Sequence, residues 1–238
     1  DLVIAQRALA WSDVARRVAH EIKNPLTPIQ LSAERLLKKF KSQVQDQDSF
    51  EKYINNITKN SNEIKMIVSE FVNFARLPSP DFSEHEILSM INNLVDTRRL
   101  VKDHILYTVN SNVKSFELVC DATQLNRVMV NLLQNAEEAL EEIDGAKKII
   151  IQIMLDGDFV SISVLDNGPG FSEQVLENAI KAYFTTKTKG TGLGLAIVDR
   201  IIQDHFGSFS IFNREEGGGC VKLIFNTREL RIKVKQTF

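Results

Sequence analysis

The sequence predicts two domains of different fold class: an α-helical hairpin, which forms a four-helix bundle when two copies associate, followed by an α+β sandwich. Three observations support this prediction. Residues 1–77 repeat apolar side chains every three or four positions, as amphipathic helices do. A linker with two prolines follows at residues 77–81, and short β-branched, alternating stretches then mix with helical ones. We therefore expect domains at residues 1–80 and 81–238.

The composition of the 238-residue chain excludes several classes of protein. Its 29 basic and 31 acidic residues give a formal charge of −2, so no strong positive field favours nucleic acid as a partner. No run of about 18 apolar residues predicts a membrane-spanning helix. Cys120 and Cys220 lack the spacing of metal ligands, and we expect both to be reduced and buried. The chain starts without Met in a helical pattern, which indicates a fragment of a longer protein.

The first predicted helix runs from Val3 to Phe40. Its apolar stripe recurs at spacings of three and four and comprises Val14, Val18, Ile22, Leu26, Ile29, Ala33, Leu36 and Phe40. Pro25 and Pro28 cannot donate backbone hydrogen bonds to the preceding turn. We therefore expect a bend or a loosened turn in this part of the helix.

A second helix is predicted from Phe50 to about Leu77, after a polar turn at residues 41–49. Residues repeat every seven positions in three series, which are Phe50, Ile57, Ile64, Phe71; Ile54, Ser61, Val68, Ala75; and Tyr53, Asn60, Ile67, Phe74. These stripes are wider than two helices can bury against each other. We therefore predict a homodimer through residues 1–77, in which each copy contributes one hairpin.

The segment after the linker has the pattern of an α+β domain. Helices are predicted at residues 85–101, 122–142, 172–179 and 195–205, and strands at residues 104–109, 116–120, 147–155, 159–165, 208–213 and 220–226. Asp121 is a good N-cap for the second of these helices. The strands should form an antiparallel or mixed sheet with helices on one face. The basic segment after Thr227 carries only a weak signal.

The first candidate for chemistry is His20, beside the apolar stripe of the first helix. A neutral imidazole has a free lone pair and can act as a nucleophile. Glu21 can take or orient the proton on the other ring nitrogen, and Asn24 lies one turn further along the same face. A single helical histidine is usually an ordinary surface or core residue. The motif therefore gains its weight from a second set of residues.

Two motifs of that second set place polar groups on a helix and after a strand. Asn131 and Asn135 are four residues apart, so their amides share one helix face, and their neutral oxygens can complete the coordination shell of Mg²⁺. Asp166 follows a predicted strand and can accept a hydrogen bond from an amino group such as that of adenine. Gly168 and Gly170 would let the backbone approach a flat base closely.

Two further motifs are suited to phosphate. Residues 182–189 form a polar, basic segment that includes Thr186 and Lys187 and would serve as a mobile lid. A glycine-rich run then opens a helix, where backbone N–H groups bind anions, and it includes Thr191, Gly192, Leu193 and Gly194. This run departs from the Rossmann fingerprint, and the chain has no P-loop motif. Each motif alone is weak, but the four in this order predict an ATP site.

The segment His20-Glu21-Ile22-Lys23-Asn24-Pro25-Leu26 resembles the H-box of sensor histidine kinases, and its surroundings resemble those of the NtrY nitrogen-regulation type. The four later motifs resemble the N, G1, F and G2 boxes of the ATP-binding fold shared by histidine kinases, Hsp90, type II topoisomerases and MutL. This resemblance covers nearly the whole chain. It implies that Asn135, helped by Asn131, holds Mg²⁺, that Asp166 reads adenine, and that residues 191–194 touch the phosphates.

The resemblance also implies a reaction and partners. ATP bound to the second domain would phosphorylate His20, and the phosphoryl group would pass to an aspartate of a response-regulator receiver domain, which would dock near Ile29 and Ala33. Asn24 would position water for a phosphatase activity. The chain would then be the cytoplasmic part of a parent protein anchored in the inner membrane.

Two alternatives stay open at this point. Glu137 and Glu138 follow the second amide, where many histidine kinases have a basic or aromatic residue. In a kinase, the cation that binds the phosphates would therefore have to be Lys187, Lys189 or Arg127. Alternatively, a carboxylate at this position could activate water in an ATPase clamp. The other alternative is a non-catalytic, dimeric signalling scaffold.

Overall fold

The computed structural model describes residues 2–75, 77–141, 143–178 and 192–237. The chain divides into two compact units, Asp1–Pro78 and Ser79–Phe238. The first unit is a hairpin of two helices, α1 (Leu2–Phe40) and α2 (Gln47–Ala75), joined through a short 3₁₀ turn at Lys41–Gln43. No helix in these ranges is both long enough and apolar enough to cross a bilayer.

The ends of the two helices have local causes. Asp46 precedes α2, and its Oδ1 accepts a hydrogen bond from the backbone N–H of Ser49 at 3.0 Å. Hydrogen bonds from the side chain and the backbone N–H of Ser49 lower the pKa of Asp46. This cap starts the helix three residues before Phe50, where the sequence pattern placed it. Helix α1 continues without interruption through Pro25 and Pro28.

The hairpin buries one narrow seam. The buried residues are small or medium-sized and come from both helices: Ala15, Ala19, Leu26, Ala33, Ile54, Ser61 and Val68. The alanines and the serine allow the two backbones to approach closely. Of the three heptad series on α2, the hairpin therefore buries the one that contains Ile54, Ser61 and Val68.

The other apolar rows remain exposed in the single chain. Each of these side chains exposes between 37% and 66% of its surface: Val18, Ile22, Ile29, Leu36, Tyr53, Ile57, Ile64 and Ile67. As predicted, the apolar stripes are wider than one hairpin can bury.

The second unit is built on a five-stranded mixed sheet. Its strands are β2 (Ile105–Ser111), β4 (Lys147–Asp156), β5 (Phe159–Asp166), β6 (Ser208–Asn213) and β7 (Gly219–Asn226), in the order β2-β4-β5-β7-β6. Only the β2–β4 pair is parallel. A separate antiparallel pair joins β1 (Ser83–Glu86) to β3 (Glu117–Cys120).

The described part of this unit also contains five helices: α3 (Ile87–Val101), α4 (Ala122–Ala139), α5 (Glu173–Asn178), α6 (Gly194–Asp204) and α7 (Thr227–Thr237). The core lies between helices and sheet. Met129 and Leu133 of α4 and Ile201 of α6 are fully buried, as are Ile151 and Ile162 of the sheet. The predicted α+β sandwich, with helices on one face of a mixed sheet, is therefore confirmed.

In the second unit, two elements differ most from the sequence expectation. Residues 83–86 form strand β1, although the helical pattern had been extended back to residue 85. Glu86 ends the strand and caps α3, because its carboxylate accepts from the N–H groups of Leu88, Ser89 and Phe116. Burial opposes ionisation of this carboxyl group, but the hydrogen bonds prevail and lower its pKa to about 2.

The other difference is the basic segment after residue 226, which forms helix α7. Leu230 is 1% exposed and anchors this helix on the domain. Asn226 caps the helix by accepting from the N–H of Glu229 at 2.9 Å. The charged residues Arg228, Glu229 and Arg231 are exposed to solvent, so the sequence pattern of this helix was weak.

Candidate functional site

His20 lies on the exposed side of α1, in the helical hairpin. Its neighbour Ala19 is buried in the seam, so the 100° step to the next residue turns the imidazole toward solvent. Asn24 is also exposed, one turn further along the helix. The carboxylate of Glu21 accepts a hydrogen bond from Nε of Arg17 at 3.1 Å, in an exposed pair on the preceding turn. The three predicted residues are thus accessible on one stretch of helix.

Ala33 does not fit its expected part in partner docking. Its side chain is only 3% exposed because it packs in the seam against α2. Ile29 is 44% exposed and remains available. The sequence could not separate the two, because both belong to the same periodic stripe.

Helix α4 brings the predicted amides together with the glycine-rich run. Asn131 and Asn135 are half-buried on this helix, and the start of α6 lies against them. A Cβ atom added to Gly194 would lie 3.7 Å from Oδ1 of Asn131 and 4.0 Å from Nδ2 of Asn135. Nδ2 of Asn131 donates to the carbonyl of Arg127 at 3.1 Å, which leaves Oδ1 facing the first residue of α6.

The loop after β5 reaches the same helix one turn further on. A Cβ atom at Gly168 would lie 3.1 Å from the carbonyl oxygen and 3.3 Å from Cβ of Ala139. Because Asn131, Asn135 and Ala139 are spaced by four residues, they lie along one face of α4. Three segments that sequence analysis had singled out separately therefore meet along this face.

Asp166 is the last residue of β5 and is only 7% exposed. Its Oδ1 accepts from the backbone N–H of Gly168 at 2.8 Å and from that of Gly219 at 3.1 Å. Within the described ranges, both hydrogen bonds of the carboxylate go to Oδ1. Oδ2 therefore keeps its capacity to accept a hydrogen bond from a ligand.

Gly168 and Gly170 are required by close packing inside the protein. A Cβ atom at Gly168 would lie 2.9 Å from Oδ1 of Asp166. Gly170 has a φ angle of +77°, and a Cβ atom there would lie 2.6 Å from Oδ1 of Asn213. The two glycines thus shape the loop that carries Asp166.

The glycine-rich run is described only in part. Gly192 has a φ of +69°, and Gly194 is the first residue of α6. Leu193 is completely buried, so its side chain belongs to the core of the sandwich. Thr186, Lys187 and Thr191, together with Lys189, lie in residues 179–191, outside the described part of the chain.

The structure also identifies supporting residues that the motif analysis missed. Asn167 follows Asp166 and clamps the start of β4, because it accepts from the N–H of Lys148 at 2.7 Å and donates to the carbonyl of Ala146 at 2.8 Å. NH1 of Arg214 donates to the carbonyl of Asp166 at 3.0 Å. The two strands of the β6–β7 hairpin were predicted, but its contacts with residues 166–171 have no local sequence signal.

Glu137 is buried in the sandwich unit and is engaged by neighbouring side chains. It is 4% exposed, and its carboxylate accepts from the hydroxyl of Tyr107 at 2.8 Å and from Arg98 at 3.3 Å. Burial and this carboxylate raise the pKa of Tyr107. A carboxylate used in this way does not resemble a base that activates water, so the geometry disfavours the ATPase clamp. Glu138 accepts from Gln134 on the helix surface at 2.9 Å.

Comparison with known proteins matches each unit to a protein family. Residues 10–80 match the family described as "His Kinase A (phospho-acceptor) domain", and residues 120–229 match "Histidine kinase-, DNA gyrase B-, and HSP90-like ATPase". The chain belongs to the sensor histidine kinases of two-component systems. The first match contains His20, and the second contains Asn135, Asp166 and Gly194.

Several histidine kinases are similar to this chain along most of its length. An NtrY-like sensor histidine kinase of Rickettsia bellii is 52% identical over 99% of this chain and 38% of the relative. The nitrogen regulation protein NtrY of Azorhizobium caulinodans is 38% identical over 92% of this chain and 29% of the relative. The chain thus spans well under half the length of these relatives.

Solved structures of histidine kinases agree. The structure of histidine kinase ThkA in complex with the response regulator protein TrrA covers 94% of this chain and 64% of that chain, with 29% identity and a TM-score of 0.66. The catalytic domain of ThkA covers 62% of this histidine kinase chain and 96% of its own, with 31% identity and a TM-score of 0.55.

Proposed function

We propose that this chain is the catalytic core of a kinase that transfers the γ-phosphoryl group of ATP to His20 and passes it on to an aspartate of a response regulator. The observation that carries the proposal is the meeting of three motif segments along one face of α4. The family of both units supports it, since the hairpin matches a phospho-acceptor domain and the sandwich an ATPase domain.

The base of the nucleotide would lie against Asp166. Its Oδ1 is engaged by two backbone N–H groups, so the carboxylate is held in one orientation. Oδ2 would accept a hydrogen bond from the exocyclic amino group of adenine. Gly168 and Gly170 would support this interaction by shaping the loop.

The phosphates would lie between α4 and the start of α6. The backbone N–H groups at Gly192 and Gly194 and the N-terminal dipole of α6 favour an anion. Oδ1 of Asn131 and the amide of Asn135 have the oxygen chemistry that Mg²⁺ binds, and Asn135 is the proposed ligand. Mg²⁺ would neutralise charge on the phosphates. Thr186, Lys187 and Thr191 are proposed to cover the phosphates as parts of a lid.

His20 would act as the nucleophile. A ring nitrogen of the imidazole attacks the γ-phosphorus, the bond from that phosphorus to the bridging oxygen breaks, and ADP leaves. The imidazole loses one proton, which Glu21 would accept or pass to water. Arg17, which pairs with Glu21, would then keep the carboxylate close to the helix surface.

A test uses the full chain with γ-³²P-labelled ATP and Mg²⁺. We expect label that is stable to alkali, labile to acid and absent from His20→Ala. His104→Ala is the matched control, because His104 is an exposed histidine in the other unit. Label that persists in His20→Ala, or a wild-type chain that takes up none, would contradict the proposal.

Dimerisation is part of the proposed function. The exposed side chains of Ile22, Ile57 and Ile64 would pack against those of a second hairpin and complete a four-helix bundle through residues 1–77. The response regulator would dock on the hairpin near His20, where Ile29 is exposed. The names of the relatives favour a nitrogen-responsive system, and we propose that the parent protein is anchored in a membrane.

A second activity would use Asn24. Its exposed amide, one turn from His20, could position a water molecule to hydrolyse the phospho-aspartate of the partner. Asn24→Ala should then reduce dephosphorylation of the response regulator more than autophosphorylation. Equal loss of both rates would count against this activity.

A further inference from the structure

The tip of the β6–β7 hairpin packs against the loop that carries Asp166. Besides the Gly219 N–H on Oδ1, the main-chain carbonyl of Asp166 accepts from NH1 of Arg214 at 3.0 Å. A Cβ atom at Gly218 would lie only 2.0 Å from that same carbonyl oxygen. The hairpin therefore lies directly against the backbone at the end of β5.

Asn213 extends this contact to the far end of the loop. Its Oδ1 accepts from the N–H of Phe171 at 2.6 Å, and its Nδ2 donates to the carbonyl of the same residue at 2.8 Å. The side-chain amide of Asn213 thus forms hydrogen bonds with both the N–H and the carbonyl of Phe171. The same Oδ1 lies against Gly170, whose left-handed conformation turns the chain toward this clamp.

The loop between Asp166 and Phe171 is therefore held at both ends by one hairpin. Arg214 and Gly219 hold its beginning, and Asn213 holds its end. The loop has glycines at positions 168 and 170, so its backbone is intrinsically free to move. An outside clamp is needed to give it one conformation.

We propose that Asn213 is a positioning residue for recognition of the nucleotide base: its clamp on Phe171 fixes the loop so that the carboxylate of Asp166 is aimed at the amino group of adenine. The inference rests on the proposed nucleotide site and adds a determinant of base selectivity to it. Asn213 acts through the loop and does not itself touch the ligand.

The chain contains a matched control. Asn112 makes the same two-point clamp on Leu155, accepting from its N–H and donating to its carbonyl, each at 2.9 Å. Leu155 pairs with Val160, near the start of β5, whereas Asp166 ends that strand. Both asparagines are exposed, so removal of either should have a similar, small effect on folding.

The experiment compares the affinities of ADP and inosine diphosphate, both with Mg²⁺, for the full chain by calorimetry. Inosine has an oxygen in place of the amino group that Asp166 would bind. We expect the wild type to prefer ADP, and Asn213→Ala to reduce the ratio of the two affinities by about tenfold, the value of one well-aligned hydrogen bond. Asn213→Asp keeps the acceptor and loses the donor, so its affinity ratio should lie between those of the wild type and Asn213→Ala. Asn112→Ala should keep the wild-type ratio.

Several results would overturn the inference. An unchanged ratio in Asn213→Ala, an equal weakening of both nucleotides, or the same loss of selectivity in Asn112→Ala would each reject it while the proposed function stands. A wild type that binds neither nucleotide would reject both. If Asn213→Ala does not fold, Asn213→Asp decides, because an unchanged ratio in that variant also contradicts the inference.

Discussion

The backbone N–H of Gly219 donates a 3.1 Å hydrogen bond to Oδ1 of Asp166, across 53 residues of chain. This bond joins the proposed base-recognition residue to a hairpin that contains none of the recognised motif residues. The neighbouring Gly218 makes this hydrogen bond possible. A side chain at that position would collide with the carbonyl of Asp166. The hairpin glycines are therefore part of the site's structure.

Gly218→Ala should destabilise the sandwich unit strongly. At φ +91°, alanine is strained by about 1–2 kcal/mol, and its Cβ would overlap the carbonyl oxygen of Asp166 at 2.0 Å, which adds about 1–3 kcal/mol. Gly217→Ala is the control, since Gly217 has a similar φ of +88° and no atom within 4 Å of its added Cβ. Urea denaturation should show a larger loss for Gly218→Ala. Equal losses would mean that the contact with Asp166 contributes nothing.

Glu137→Ala should reduce the stability of the sandwich unit, whereas Glu137→Gln should keep its kinase activity. The alanine variant removes the buried partner of Tyr107 and Arg98, at a cost of about 1–3 kcal/mol. The control is Glu141→Ala, because the carboxylate of Glu141 is exposed and makes only a long ion pair with a lysine. Thermal unfolding measures the first effect, and labelling by ATP at a temperature where all variants are folded measures the second. Loss of labelling in folded Glu137→Gln would restore a catalytic role for this carboxylate.

His205 should make the sandwich unit less stable in mild acid. Burial lowers its pKa below 6.5, although Asp121, Asp204 and the hydrogen bond to Ile201 act in the opposite direction. In the neutral ring, Nε2 accepts from the N–H of Asp121 at 3.0 Å while Nδ1 donates to the carbonyl of Ile201 at 2.8 Å. A proton on Nε2 would place two donors face to face.

The sign of the effect follows from linkage. Above pH 6.5 the histidine is neutral in both states, and its stabilising contribution is fully present. As the pH falls below 6.5 the unfolded chain binds a proton first, so stability declines until the pH reaches the lower pKa of the folded state. The slope is at most about 1.4 kcal/mol per pH unit. Urea denaturation at several pH values should show a smaller decline for His205→Gln, and identical slopes would exclude His205 as the cause.

Cys120 should be almost unreactive in the folded chain. Burial, with a further contribution from Asp121, raises the pKa of its thiol from 9.0 to about 12, and burial also raises the pKa of Cys220. Both cysteines are free and buried, as the sequence analysis predicted. Mass spectrometry after iodoacetamide treatment at pH 8 should detect alkylation only after unfolding in urea. Rapid alkylation of the native chain would contradict the packing around these thiols.

Ile64→Glu should weaken self-association of the chain. Ile64 is 42% exposed in the single hairpin and belongs to a row that is proposed to meet the second copy. A buried, unpaired carboxylate in that interface is strongly unfavourable. Asn56→Glu, an exposed change on the same helix, is the control. Light scattering at micromolar concentration should detect dimers for the wild type and the control and monomers for Ile64→Glu. A monomeric wild type would contradict the proposed dimer.

The helices were largely predictable because their signals are local. The stripes of α1 and α2, the linker and the cap at Asp121 can each be read within one or two helical turns. The starts of α2 and α3 were misplaced because Asp46 and Glu86 end the preceding segments with side-chain caps that periodicity does not detect. Helix α7 was missed because a single buried leucine, Leu230, anchors it.

The packing of the hairpin could be predicted only in part. The sequence contains several apolar rows of nearly equal strength. Which row meets the other helix depends on the small side chains of Ala19, Ala33 and Ser61 and on the row that the partner helix presents. Ala33 was consequently expected at a docking surface, although it lies inside the seam.

The order of the two units, the identity of the motifs and the position of His20 beside an apolar stripe could be read from the sequence, because periodicity and short motifs depend on neighbours within a few residues. Only the tertiary structure decided that α4 gathers the amides, the start of α6 and the Asp166 loop, and that Asn213, Arg214 and Gly219 support that loop. Those contacts join residues 42 to 53 positions apart. They follow from the pairing of β5, β6 and β7, and strand register at such separations leaves no local signal in the chain.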